Sequence, residues 1–123
     1  MLATPTPAAK SMNNQVILAF STCPDEAIAR RIAEALVVEK LAGCVNRVAN
    51  VRSSYIWDGR LQDDSEILLI IKTTANRLAA LRARLLELHP YELPELVAAN
   101  AIGGNEPYLE WIRRAVQTED NRQ

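Results

Sequence analysis

Apolar residues recur in two rhythms along this chain, and the switches between them predict its elements. Val16, Ile17, Leu18, Ala19 and Phe20 form a short unbroken apolar run, the pattern of a buried strand. It gives way to Ser21-Thr22-Cys23-Pro24-Asp25, where threonine, proline and aspartate mark a helix start. Ile28, Ile32 and Leu36 then recur at four-residue steps beside Ala29 and Ala33, with Arg30, Arg31 and Glu34 on the other side. That spacing predicts a helix reaching about Lys40 and stopped by Gly43. Residues 44–51 read as a second strand of imperfect alternation. Ser54-Tyr55-Ile56-Trp57 leads into Asp58-Gly59, a strong hairpin signal because a type I′ turn needs positive φ at both central residues. The returning strand rises through Gln62 into Ile67-Leu68-Leu69-Ile70-Ile71, five apolar residues without alternation, so both of its faces should be covered.

Thr73 or Thr74 is the expected cap of a second helix, striped by Leu78, Leu81, Leu85 and Leu88. His89-Pro90 ends it, because a residue before proline is pushed out of the α region. Residues 96–99 form a fourth strand, Gly103-Gly104 breaks the chain, and Asn105 caps a last helix carrying Leu109, Ile112 and Val116. The order β-α-β-β-α-β plus a helix is an α+β fold, the ferredoxin-like split βαβ arrangement with an extra C-terminal helix. Right-handed crossovers make strands one and two parallel, with strand three antiparallel between them and strand four beside strand one. The end of strand one, the start of strand four and the hairpin therefore share one rim. Cys44 falls at the opposite end of the sheet from Cys23, too far for a bridge whose Cα atoms must lie within about 7 Å. Helices in this arrangement cover one face only, so the doubly apolar central strand calls for the last helix or, preferably, a second subunit on the other face.

Composition narrows the function. A chain of 123 residues with 49% apolar content is one domain, here residues 15–117, with 1–14 read as a disordered leader and 118–123 as a flexible tail. A net charge of −1, with scattered basic residues, points to no nucleic-acid partner. No run approaches a membrane span, no secretory signal pattern opens the chain, and two cysteines form neither a disulfide framework nor a zinc motif; a cytoplasmic setting follows. The dinucleotide, P-loop, esterase-elbow and metalloprotease signatures are missing, so the expectation is a protein that is not an enzyme.

The chemistry gathers in His89-Pro90-Tyr91-Glu92-Leu93-Pro94-Glu95, which holds the chain's one histidine. His89 has two readings: a helix-end residue favoured by the dipole, or a metal ligand. Cys23, at a helix N-terminus, is either a soft ligand with a depressed thiol pKa or a small buried hydrophobe. Glu92 and Glu95 either complete a metal site or pair with Lys72 or an arginine across an interface. Tyr55 and Trp57 share one face of the hairpin and, in a chain only 5% aromatic, suggest a partner surface; Tyr91 and Trp111 join that candidate interface, Trp111 with Tyr108 either on the packing face of the last helix or in the same contact.

Six stretches in order extend these readings: Thr22-Cys23-Pro24-Asp25, Lys40-Leu41-Ala42-Gly43-Cys44-Val45-Asn46, Ser54-Tyr55-Ile56-Trp57-Asp58-Gly59, Ile71-Lys72-Thr73, His89 to Glu95, and Tyr108-Leu109-Glu110-Trp111. Across residues 15–116 the chain resembles the CutA divalent-cation tolerance family. The resemblance implies a stable homotrimer of ferredoxin-like subunits and a link to copper and other divalent cations, with no cofactor required. It implies His89 as a copper ligand directly. Ser21 stands where the family's suspected ligand cysteine is expected, with Cys23 as a substitute, and Leu88 stands where a second histidine can precede the motif. The expectation is thus a trimer that binds divalent metal, copper foremost, at the inter-subunit rim. The alternative, resting on the similar trimer of PII signalling proteins, is a regulator that binds a small effector or a partner protein. The tight Asp58-Gly59 hairpin argues against it, since that role needs a long, basic, flexible loop.

Overall fold

The computed structural model describes residues 13–118. The expected leader and tail lie almost wholly outside the described residues. Among the described residues four strands and three helices follow in the order β1 (Val16–Cys23), α1 (Glu26–Val38), β2 (Cys44–Trp57), β3 (Arg60–Thr74), α2 (Leu78–Leu88), β4 (Val97–Asn100) and α3 (Glu106–Ala115), with a 3-10 turn, Ala75–Arg77, leading into α2. One antiparallel sheet has the order β2-β3-β1-β4. The arrangement expected from right-handed crossovers is the one observed.

Each boundary has a local cause. The Asp25 carboxylate accepts the Ile28 backbone N–H at 2.9 Å and opens α1, with Glu26 complementing the dipole in the first turn. The helix stops earlier than its periodicity suggests, and Gly43 does not stop it. Lys40 takes the left-handed conformation at φ 62°, and the Leu41 and Ala42 N–H groups turn back to the Leu36 carbonyl at 2.8 and 3.1 Å. Gly43 serves another purpose: a Cβ there would stand 3.0 Å from Ile112 Cδ1 and 3.4 Å from Ala115 Cβ, so its hydrogen lets α3 pack close. Neither threonine caps α2 through its side chain. Thr73 Oγ1 donates to the Leu41 carbonyl at 2.8 Å, and Thr74 Oγ1 bonds the Asn76 side chain. Asn105 likewise caps α3 by its backbone carbonyl alone. His89 does end α2, with ψ 135° ahead of Pro90.

The hairpin forms as expected, with φ of 52° at Asp58 and 73° at Gly59, and Trp57 opposite Arg60. The imperfect alternation of β2 has a definite origin. Val48 faces Leu68 but Val51 faces Glu66, so β2 carries one extra residue, and Asn50 in that bulge has φ 65°. Before the bulge Cys44, Asn46 and Val48 oppose the even-numbered residues of β3; after it Val51, Ser53, Tyr55 and Trp57 do.

α1 and α2 cover one face of the sheet, burying Ala19, Cys23, Leu69 and Ile71 with Ile32, Leu36, Leu81 and Leu85. Each of the larger side chains contributes roughly 1.5–3 kcal/mol by leaving water. α3 lies on the other face at its Val16 end, where Leu109 and Ile112 close on Val16 and Cys44. The rest of that face, Leu18, Phe20, Leu68 and Ile70, is only half-buried within one chain. The last helix thus covers a corner, as one short helix must.

Candidate functional site

β3 outruns β1: their pairing ends at Cys23 opposite Ile67, while β2 and β3 continue as a two-stranded arm to the hairpin. The α2–β4 loop crosses the end of β1 and meets the base of that arm. His89 fixes the crossing. Its Nε2 donates to the Thr22 carbonyl at 2.7 Å and its Nδ1 accepts the Tyr91 N–H at 3.2 Å, which requires the neutral Nε2–H tautomer. The imidazole is buried and its ring lies 4.7 Å from the Tyr91 ring. Tyr91 in turn donates to Glu66 Oε2 at 2.7 Å. One histidine therefore ties the loop to β1, and one tyrosine ties it to β3.

These ties enclose a cleft of about 610 Å³ lined by the arm (Ser53, Ser54, Tyr55, Trp57, Asp64, Glu66), by Thr22, and by Tyr91, Glu92, Leu93 and Glu95 of the loop. By register Thr22, Glu66, Asp64, Tyr55 and Trp57 share the open face of the sheet. Tyr55 donates to the Asp64 carboxylate, and that bond chiefly holds its hydroxyl proton above the ordinary range. Burial first, and the bond to Glu66 second, push the Tyr91 hydroxyl further up. Both phenols are donors at any physiological pH.

The expected site residues divide between this cleft and the core. Tyr55, Trp57, Tyr91, Glu92 and Glu95 are brought together on its walls. Ser21 and Cys23 are not: both are fully buried, and by strand alternation both point under α1 and α2. Cys23 lies in the apolar cluster, and burial, reinforced by Glu66 and Asp25, raises its thiol to about 11. Of its two readings, the small buried hydrophobe is the one the geometry matches; a depressed thiolate pKa is not found. Ser21 Oγ has no hydrogen-bond partner among the described residues. Trp111 stacks on Tyr108 outside the packing face of α3, with 53% of its surface exposed. Lys72 lies over Tyr108 at the far end of the sheet rather than near Glu92 or Glu95, and neither glutamate forms an ion pair among the described residues. Cys23 and Cys44 are both free thiols.

A metal fits poorly within one chain. Both His89 nitrogens are engaged, the Cys23 thiol is held protonated, and no three His, Cys, Asp or Glu side chains gather to hold an ion among the described residues. Sequence reasoning does not single out Thr22, Ser53, Ser54, Asp64, Glu66 or Leu93 of the cleft lining. Counting back from the Asp58-Gly59 turn pairs Ser53 with Asp64 and so could have found one of them. The same count pairs Val51 with Glu66 and could have found a second, because the bulge begins only beyond that pair.

The fold and the cleft define a split-βαβ domain with an acidic and aromatic cleft at its rim. Residues 17–115 match the family described as CutA1 divalent ion tolerance protein, and the chain belongs to that family. It is 48% identical to the divalent-cation tolerance protein CutA of Thermus thermophilus over 92 residues, covering 75% of this chain and 89% of that one. It is 40% identical to human protein CutA over 118 residues, 93% of this chain but 66% of the human protein. The crystal structure of CutA from Xylella fastidiosa superposes with a TM-score of 0.82 at 43% identity, covering 84% of this chain and 99% of that one. No helix among the described residues is long and apolar enough to cross a membrane.

Proposed function

We propose that this chain works as a homotrimeric divalent-cation tolerance protein in the cytoplasm, and that any direct contact with a metal such as copper is made between subunits at the rim. The observation that carries the reading is the open sheet face. Leu18, Phe20, Leu68 and Ile70 form an apolar surface that α3 leaves uncovered, and Thr22 opposite Leu68 joins it to the cleft. A neighbour seated on that face would bring its own side chains against the rim. The match to a divalent ion tolerance family supplies the metal. Cleft carboxylates without a basic lining disfavour a phosphate-bearing effector, and with it the PII-like alternative.

Light scattering tests the assembly: the expected mass is three times 13.7 kDa, and Leu68→Lys should reduce it to one protomer. A single-protomer mass for the wild type overturns the reading. Copper titration of both proteins tests the metal. Saturable binding should be lost in the monomeric variant and kept in His89→Ala; equal binding by the monomer places the metal within one chain and overturns the inter-subunit reading.

A further inference from the structure

The cleft at the base of the arm has a chemistry that metal handling leaves unused. Its lining carries four carboxylates (Asp64, Glu66, Glu92, Glu95) and three aromatic rings (Tyr55, Trp57, Tyr91), but no lysine, arginine or histidine. The surplus of negative charge is not neutralised by ion pairs with Glu66, Glu92 or Glu95 among the described residues. Two lining residues are buried and keep an oxygen without a partner. Glu66, 7% exposed, gives Oε2 to Tyr91, while Oε1 has no partner among the described residues. Thr22, 8% exposed, likewise has a hydroxyl without a partner. Neither oxygen is sealed from water, so a ligand donor there would take the place of solvent.

The spread of these groups decides which donor. A hard metal ion needs several oxygens converging at roughly 2.0–2.6 Å. The acidic groups of this cleft do not gather in that way. Instead they alternate with aromatic faces, and a volume of about 610 Å³ is the size of an organic ligand rather than an ion. Aromatic faces attract a bulky cation through their quadrupoles, and carboxylate and hydroxyl oxygens accept its N–H bonds.

We propose that this cleft binds a small organic cation, with an ammonium or guanidinium head donating to Glu66 Oε1 and Thr22 Oγ1 and an apolar body against Trp57 and Tyr55. The proposal does not depend on the metal reading and survives its failure. The same chemistry could also be supplied by a basic side chain of a second copy, and the experiment separates the two sources.

Titration calorimetry of the wild type with phenethylammonium chloride, against uncharged 2-phenylethanol, reads the charge requirement. The ammonium should bind saturably and the alcohol about tenfold more weakly or not at all, the loss expected for one charged hydrogen bond and a cation–π contact. Glu66→Gln and Trp57→Leu should each weaken the ammonium severalfold with an unchanged circular dichroism spectrum. The chain has two tryptophans, so Trp111→Phe leaves Trp57 as the sole reporter, and its emission should shift on saturation. Equal binding of alcohol and ammonium, or binding indifferent to both cleft variants, overturns the proposal. So does a Trp57 signal that answers to protein dilution and ignores phenethylammonium, since that assigns the cleft to a basic side chain of another copy.

Discussion

Replacing Ser21 by alanine should make the protein more stable. The Ser21 side chain is fully buried beneath the two sheet-covering helices, and its hydroxyl oxygen finds no partner among the described residues. A hydroxyl moved from water into such a place without a hydrogen bond costs roughly 1–3 kcal/mol. Alanine removes that cost and leaves a void of one oxygen atom, which returns a few tenths of a kcal/mol at about 24 cal/mol per Å³. The net expectation is a gain of about 1 kcal/mol. Thr73→Val supplies the opposite sign. Its hydroxyl is equally buried but donates to the Leu41 carbonyl at 2.8 Å, so valine strands that acceptor and should cost roughly 1–2 kcal/mol. Guanidinium denaturation at one fixed protein concentration measures both, the fixed concentration being needed if unfolding is coupled to dissociation. The midpoints should move about 0.2–0.5 M in opposite directions with unchanged slope. If Ser21→Ala loses as much stability as Thr73→Val, the Ser21 hydroxyl has a partner in the assembled protein and the reasoning fails.

Other consequences can be checked as directly. Gly43→Ala should destabilise by roughly 1–3 kcal/mol, because its methyl group meets Ile112 at 3.0 Å; a variant with Ile112→Val as well should recover part of the loss in thermal unfolding. Tyr91→Phe removes the donor to the buried Glu66 carboxylate and should cost roughly 1–3 kcal/mol, measured by denaturation at neutral pH. The Cys23 thiol is raised from 9.0 to about 11 in the fold, so the unfolded chain gives up that proton first. Its contribution to stability is therefore complete below pH 9 and fades as pH rises through about 11, visible as an alkaline loss of stability that Cys23→Ala should reduce. In thiol labelling at pH 8 Cys44 should react and Cys23 should not until the protein is denatured.

Features set by a few neighbouring residues are legible in the sequence itself. Asp58-Gly59 dictates its own φ angles, Asp25 bonds a backbone N–H three residues on, and His89-Pro90 cannot continue a helix. The strand order follows from chain order and crossover handedness. What escapes a reading of the sequence depends on contacts distant along the chain or on a strained residue of unremarkable type. Lys40 ends α1 in a conformation usually left to glycine, whereas the nearby glycine is needed 69 residues away, against Ile112. Thr73 and Thr74 look like caps, yet each spends its hydroxyl elsewhere. Topology alone locates the rim, and residue type alone picks out Tyr55, Trp57, Tyr91, Glu92 and Glu95 on it. Its histidine, however, faces inward to brace the loop, a role that only the position of the Thr22 carbonyl reveals.

The extra residue at Asn50 gives β2 two independent halves. Up to Val48 the strand answers to the packing of the domain; from Val51 onward it answers to the cleft. A strand has a two-residue grammar, so pairing the present sequence without the bulge would turn Ile56 into the cleft in place of Tyr55 and Trp57, whereas deleting position 50 would restore regular pairing and keep both rings where they are. Lengthening or shortening the arm by matched pairs of residues on both strands would leave that display intact. The bulge is therefore a point of modularity: the arm could be remodelled without renegotiating the core, provided that its length changes in steps of two.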